Sequence, residues 1–386
     1  MRLALCLEYP LHQHGGVEIL VCALIEELSK HHEIHLVSSD HENTVRASAQ
    51  GDLIQSHFHW DPDDLDRKQV DRLLEWAANH EIELFHFHLG GSYAWNARSW
   101  SNCAITRCAK AGFPCLSTNH QALSPLDSKS DPRPLIRRLL AFLIRWPGKA
   151  RQLSSVQKEI HVSQHDLKIG RSLFPLHRAK FSQIYHSRLA CPSAPEPSLR
   201  KESKIILSLA TVAFRKGQHI LAEAFARIAP EFPGWNLHLV GYHAGDGCVE
   251  QIRQIACDHQ LQDRIDLPGS TSNPLELLKT AAIYVQPSLL EGLGLSLQEA
   301  MLHGCACIGS DTGGIPELIN DPSVGMIFKT GDVSALAVVL RQMIRDEDLR
   351  RKLGEAAHAS ILSRGMTRQA MAAAYEGLYC ILKRSK

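Results

Sequence analysis

Short apolar runs separated by helix-length amphipathic segments recur along this chain, and that alternation limits what it can fold into. Residues 3–7, 33–38, 84–88, 115–118, 160–163 and 181–185 read as strands in the first half. In the second half the candidates are 205–209, 237–240, 265–267, 283–286 and 306–309. Between them, segments such as "VEILVCALIEELSKH" and "GQHILAEAFARIA" repeat apolar residues at helical spacing. Strand followed by helix, many times over, predicts parallel sheets with helices on both faces.

At 386 residues the chain exceeds what one hydrophobic core usually serves, so two domains are expected. Three prolines in "LACPSAPEPSLRKES" make a stiff, exposed stretch. The expected division is therefore 1–190, a linker at 191–203, and 204–366, each domain a doubly wound α/β sheet. Residues 367–386 form one more helix, with nothing left to cover in the second sheet, and are expected to cross back to the first domain. Eleven cysteines, an odd number without paired spacing, indicate reduced thiols and a cytoplasmic protein. A net charge of +1 gives no general attraction to nucleic acid. The opening "MRLALCLEYP" reads as a buried strand, too brief for a leader or a spanning helix.

In open parallel sheets, ligands bind beyond the carboxyl ends of the strands. Four such ends in the second half carry glycine or charge: "ATVAFRKGQ", Gly241, "PSLLEGLGLSLQE" and "SDTGGIPE". Lys216 offers a point charge for phosphate, and Arg215 a forked donor. Gly292 and Gly294 flank Leu293 and precede Leu295, where a helix opens; they permit close backbone approach, and the free N–H groups of the helix favour an anion. Carboxylates there would repel phosphate, so Glu291 and Glu299 are read as acceptors for sugar hydroxyls. Cations and paired acids together describe a diphosphate with a sugar on either side. In the first half, Gly15 and Gly16 of "HQHGGVEIL" make another anion-ready turn, without the third glycine of a dinucleotide fingerprint.

The stretch "EGLGLSLQEAMLHGCACIGSDTGGIPELI", together with "GGVE" from residue 15 and "GMIFKTGD" at 325–332, resembles the family 4 glycosyltransferases. These are retaining, nucleotide-sugar-dependent enzymes of the GT-B fold, in which two Rossmann-like domains face each other across a cleft. The resemblance covers nearly the whole chain. It implies that Glu291 contacts the donor sugar, Glu299 the ribose hydroxyls and Lys216 the diphosphate, with Gly15 and Gly16 touching the phosphate from the other domain. His120 in "LSTNHQAL" matches the histidine that faces the reacting sugar. The resemblance also implies hexosyl transfer from a nucleoside-diphosphate-sugar to a glycan or lipid-linked acceptor, in synthesis of cell-surface polysaccharide, lipopolysaccharide or glycolipid. The usual mechanism is front-face substitution, with neither metal nor cofactor. Two departures stand out. Ala210 and Thr211 replace the family's usual Gly-Arg pair, which removes a cation, and "YHSRL" replaces a loop that often reads Asn-Gly. The first departure leaves an inactive or weakened nucleotide-sugar-binding homologue as an alternative; a GT-B nucleotide-sugar epimerase is another.

The stretch "DPRPLIRRLLAFLIRWPGKARQ" carries six cations (Arg133, Arg137, Arg138, Arg145, Lys149, Arg151), one acid and Trp146. It reads either as a connecting helix with a solvated face or as a basic segment in peripheral contact with a membrane. "DPDDLDRK" reads as a helix start, not a metal site, and "HFH" at 86–88 as two histidines on one strand face, in a pocket or core.

Overall fold

The computed structural model describes residues 1–11, 15–64, 66–90, 95, 103–121, 134–190 and 203–384; Arg133 and nearly all of the expected linker lie outside these. The chain divides into two compact units, Met1–Ala190 with Thr367–Lys386, and Cys191–Met366.

The first unit holds seven parallel strands: β1 (Arg2–Cys6), β2 (Glu33–Ser38), β3 (Ile54–His59), β4 (Leu84–Leu89), β5 (Cys115–Asn119), β6 (Lys158–His161) and β7 (Phe181–Gln183). Their spatial order is β3-β2-β1-β4-β5-β6-β7. The second unit holds β8 (Ile205–Leu209), β9 (Asn236–Val240), β10 (Ile265–Gly269), β11 (Ile283–Gln286), β12 (Ala306–Ser310) and β13 (Met326–Phe328), in the order β10-β9-β8-β11-β12-β13. Both are doubly wound, so the strand order reverses between β1 and β4 and between β8 and β11, where such sheets open a crevice for ligands. The central strands are buried on both faces and therefore read as apolar runs. Two strands escape the sequence reading. β3, "IQSHFH", is a largely polar edge strand, and β13 is a three-residue edge.

Strand β4 alternates Phe85 and Phe87 with His86 and His88. The phenylalanines enter a core with Trp60, Trp95 and Cys108. The histidines face the other way, where the helix Arg368–Arg384 covers the sheet. Tyr379 Oη lies 2.8 Å from His86 Nδ1, and Tyr375 Oη lies 2.9 Å from Thr118 Oγ1 and 2.7 Å from His186 Nε2. Arg368 reaches Glu27 at 2.8 Å, and Lys383 reaches Glu83 at 2.9 Å. Replacing Tyr379 by Phe strips a buried histidine nitrogen of its partner. The expected cost is about 1–2 kcal/mol, measurable as a lower urea midpoint with unchanged slope.

The basic stretch forms the helix Leu135–Ser155. Its cations are not one surface set, so the six counted together in the sequence do not all lie on a solvated or membrane-facing side. Arg138 and Lys149 are buried, and Lys149 Nζ sits 2.6 Å from the buried Glu159. Amphipathic burial of one helix face turned these two inward. Upstream, the aspartates of "DPDDLDRK" precede the helix Arg67–Asn79 and do not occupy its first turn; Asp66 caps it by accepting from Lys68 N.

Candidate functional site

In the second unit, the loops that follow β8 and β11 meet at the switch point. Leu289 N and Leu290 N donate to Arg215 O at 2.9 and 3.2 Å. Gly217 has φ +73°, and a Cβ there would lie 2.0 Å from Pro287 O. Only glycine lets the Arg215–Lys216 turn sit against that carbonyl and enter the helix Gln218–Ile228. Lys216 Nζ consequently reaches Glu291 Oε2 at 2.7 Å, with the two side chains 13% and 12% exposed.

The same carboxylate oxygen accepts from Ser288 Oγ at 3.0 Å and Gln286 Nε2 at 3.2 Å, while Tyr284 Oη donates to Gln286 Oε1 at 2.7 Å. None of these bonds uses Glu291 Oε1. Burial pushes the Glu291 pKa up, but Lys216, then Ser288 and Arg215, outweigh it and hold the group below its ordinary value. Sequence reasoning missed Tyr284, Gln286 and Ser288. Their signal is polar side chains at alternate positions of an otherwise apolar central strand, hence on one face.

Gly292, Leu293, Gly294, Leu295 and Glu299 continue from Glu291 through the same loop and into the next helix. Gly314 N donates to Gly292 O at 2.9 Å, which ties "SDTGG" to the Glu291 loop. Leu293 is buried, and Gly294 caps the helix Leu295–Leu302. Glu299, in the second turn of that helix, is buried and not on a solvated face. Gly241 has a packing role: a Cβ there would lie 1.9 Å from Ala210 O. Arg215 is exposed and has no ion pair with a described residue. Thr211 O accepts from Gln218 Nε2 at 3.0 Å.

In the first unit, Gly15 caps the helix Gly16–Leu28. The buried Glu18 folds its carboxylate back over Gly15, so the turn read as an anion site holds the chain's own acid, whose pKa burial raises. His120 follows β5 directly, with Nε2 3.1 Å from His88 Nδ1. Burial lowers its pKa to about 3, so the ring is neutral at physiological pH.

Glu8 was missed altogether. It lies two residues beyond β1, at the switch point, and accepts from Trp95 N. Burial lifts its pKa to about 7, against the opposing effect of that hydrogen bond. Its signal is an acid immediately after the first buried strand, in "LCLEYP". A carboxyl with a raised folded pKa binds a proton that the unfolded chain has already lost, so it costs stability as pH rises from about 4.5 to 7, and the loss is constant above. Glu8→Gln keeps the acceptor for Trp95 N and should remove that loss. We expect a gain of no more than about 3 kcal/mol above pH 7 and a flatter stability profile in urea titrations between pH 5 and 8. Among the described residues, no group of His, Cys, Asp and Glu is arranged to hold a metal ion.

Two doubly wound parallel sheets, the second with a Lys216–Glu291 pair at its switch point, have the fold of the GT-B class of glycosyltransferases. The chain matches the family described as Glycosyltransferase Family 4 over residues 14–222 and the one described as Glycosyl transferases group 1 over residues 193–360. It belongs to the family 4 glycosyltransferases. A relative named N-acetyl-alpha-D-glucosaminyl L-malate synthase, from Bacillus anthracis, is 26% identical over 95% of this chain and 93% of its own length. A glycosyltransferase from Rickettsia africae superposes with a TM-score of 0.78 at 16% identity, covering 100% of this chain and 99% of its own. Anabaena Alr3699/HepE, solved with UDP-glucose, has a TM-score of 0.74 at 17% identity, covering 98% and 100%.

Proposed function

We propose that this enzyme moves a hexosyl-type sugar from a nucleoside-diphosphate-sugar to a glycan or lipid-linked acceptor in cell-surface polysaccharide, lipopolysaccharide or glycolipid synthesis. Transfer retains the anomeric configuration, needs no metal, and takes place in the cytoplasm at a membrane face. The observation that carries the reading is the Lys216–Glu291 pair at the β8/β11 switch point, with Glu299 buried in the helix that follows.

After Glu291 takes one Lys216 N–H, two remain for diphosphate oxygens. The exposed Arg215 supplies a second cation where Thr211 lacks one, and the N-terminus of Leu295–Leu302 adds a positive dipole end. Glu291 Oε1 accepts a donor-sugar hydroxyl, Glu299 the ribose hydroxyls, and neutral His120 bonds the sugar. The proposal also gives Gly15 and Gly16 a phosphate contact, which requires the Glu18 carboxylate to move aside. As the bond from the anomeric carbon to the phosphate oxygen breaks, the acceptor oxygen bonds to that carbon on the same face. The departing phosphate oxygen takes the acceptor's proton.

Similarity to a protein solved with UDP-glucose makes a uridine donor the first to test. Calorimetry with UDP, GDP and ADP should find one that binds, and Glu299→Ala should weaken it about tenfold, as loss of charge-assisted hydrogen bonds to hydroxyls implies. Binding of none would sink the reading. Interconversion of labelled donor sugars without any acceptor would instead identify an epimerase. L-malate belongs in the acceptor panel beside lipid-linked sugars, because the relative from Bacillus anthracis is named for it.

A surface of the first unit supports the membrane part of the proposal. On the helix Leu135–Ser155, Ile136, Leu140, Leu143 and Ile144 are 72, 54, 63 and 77% exposed and recur at the spacing of one helix face. Arg137 and Arg151 are exposed as well, and no acid occurs between Asp131 and Glu159. An apolar stripe edged by cations fits an anionic lipid surface. No described helix is long and apolar enough to cross a membrane. The enzyme should co-sediment with phosphatidylglycerol vesicles and less with phosphatidylcholine vesicles, and Leu143→Glu with Ile144→Glu should cut vesicle binding at least tenfold. Equal sedimentation of variant and parent would remove this surface from the proposal.

A further inference from the structure

We infer that His88 is a positioning residue that holds His120 in its Nδ1–H tautomer, so that His120 presents an N–H donor to the sugar and not a bare nitrogen. The inference rests on the reading of His120 as the sugar-facing histidine.

Strands β4 and β5 pair in register, with His88 opposite Thr118, and His120 N donates to Leu89 O at 3.2 Å. This holds the His120 ring against His88, with centroids 5.3 Å apart and planes 28° from parallel. His88 Nδ1 and His120 Nε2 are 3.1 Å apart, so one donates and the other accepts. Both rings are neutral, because burial disfavours a charge on each and, at His88, the neighbouring rings of His86 and His186 add to it. Each ring therefore carries one proton, and fixing it on one ring fixes it on the other.

The rest of the His88 ring decides between the two arrangements. Its Nε2 is buried and has no hydrogen-bond partner among the described residues. If the His88 proton were on Nε2, a buried N–H would be left without an acceptor, the costlier of the two orphans. With the proton on Nδ1, His88 donates to His120 Nε2 and only a lone pair is left over. His120 then carries its own proton on Nδ1, which bonds no described residue. That nitrogen can donate to a sugar oxygen. The ring cannot act as a base, since its only lone pair is taken by His88. His120 is thereby excluded as the group that takes the acceptor's proton, in keeping with the proposed role of the departing phosphate oxygen.

The test is 15N NMR of the uniformly labelled full chain, with the His120 signals identified by their loss in His120→Gln. We expect Nδ1 protonated and Nε2 bare across roughly pH 6 to 8. His88→Phe keeps a ring in place but removes the donor. It should release a tautomer mixture at His120 and lower turnover of UDP-glucose hydrolysis about tenfold, with little change in KM. His88→Asn places an amide N–H near the lost Nδ1 and should restore both. If His88→Phe does not fold, the parent and His88→Asn spectra decide. A parent His120 protonated on Nε2, or a His88→Phe spectrum matching the parent, overturns the inference. A parent spectrum as expected, with full turnover in His120→Gln, supports the tautomer and overturns only the sugar-facing reading.

Discussion

Lys216→Met is expected to lower sugar transfer at least about a hundredfold, the scale on which a single electrostatic stabiliser of a developing anion acts. It should also cost the second unit about 2–3 kcal/mol. The transfer loss follows from the proposed phosphate contact. The stability loss does not, because it depends only on the 2.7 Å pair in the unliganded chain. Without the ammonium, Glu291 keeps two neutral donors, Ser288 and Gln286, and remains largely desolvated. Its pKa should move from below the ordinary value to above it.

The sign of the pH dependence therefore reverses. In the parent, the depressed Glu291 pKa contributes stability above the ordinary carboxylate range, and this is lost as pH falls through the folded value. In Lys216→Met, stability should instead fall as pH rises through that range. Adding Glu291→Gln should recover most of the stability and none of the transfer. Urea unfolding at pH 5 and pH 8, alongside nucleotide release, separates the two roles. Normal transfer in Lys216→Met would refute the phosphate assignment; unchanged stability would refute the buried pair.

The second large effect lies in the first unit. Lys149→Met should destabilise the enzyme by about 3–5 kcal/mol while leaving vesicle binding unchanged. The side chains of Lys149 and Glu159 are 2% and 1% exposed, 2.6 Å apart. Gln152 Oε1 accepts from Lys149 at 3.0 Å, and Ser117 Oγ donates to Glu159 at 3.1 Å. In the parent, His161 is neutral beside Glu159, because burial, opposed by Glu159 and aided by Lys149, lowers its pKa to about 4. Removing the cation leaves an uncompensated buried carboxylate. Lys149→Met with Glu159→Gln removes both charges and should lie much closer to the parent. A denaturant midpoint for Lys149→Met equal to the parent's would show that the pair is not buried in solution, and reduced vesicle binding would place Lys149 on the outer face.

The placement of the second unit's charged and glycine-rich loops was legible in advance. The acids at 291 and 299, the lysine at 216 and the glycines between strand and helix all lie where doubly wound sheets bind ligands. What could not be read was their engagement with one another. Lys216 appears in the sequence as an available cation, yet it is held by an acid 75 residues away. Tyr284, Gln286 and Ser288 look like interruptions of a strand until that acid is seen to need donors. Edge strands β3 and β13 were illegible for another reason: half-covered or very short strands lack the continuous apolar run that marks a central one.

From the sequence alone came the parallel, doubly wound character of both sheets, because residue periodicity records which faces of each element are covered. The resemblance to family 4 is likewise carried by spacing along the chain. Only the tertiary structure decided which charges are solvated and which are paired. Arg137 and Lys149 lie on one helix, the first in water and the second against Glu159. His86 meets Tyr379 across 293 residues of chain. Local patterning fixes the direction a side chain takes from its own helix or strand. What waits for it there is set by segments remote in sequence, and desolvation and hydrogen bonding to them determine its charge.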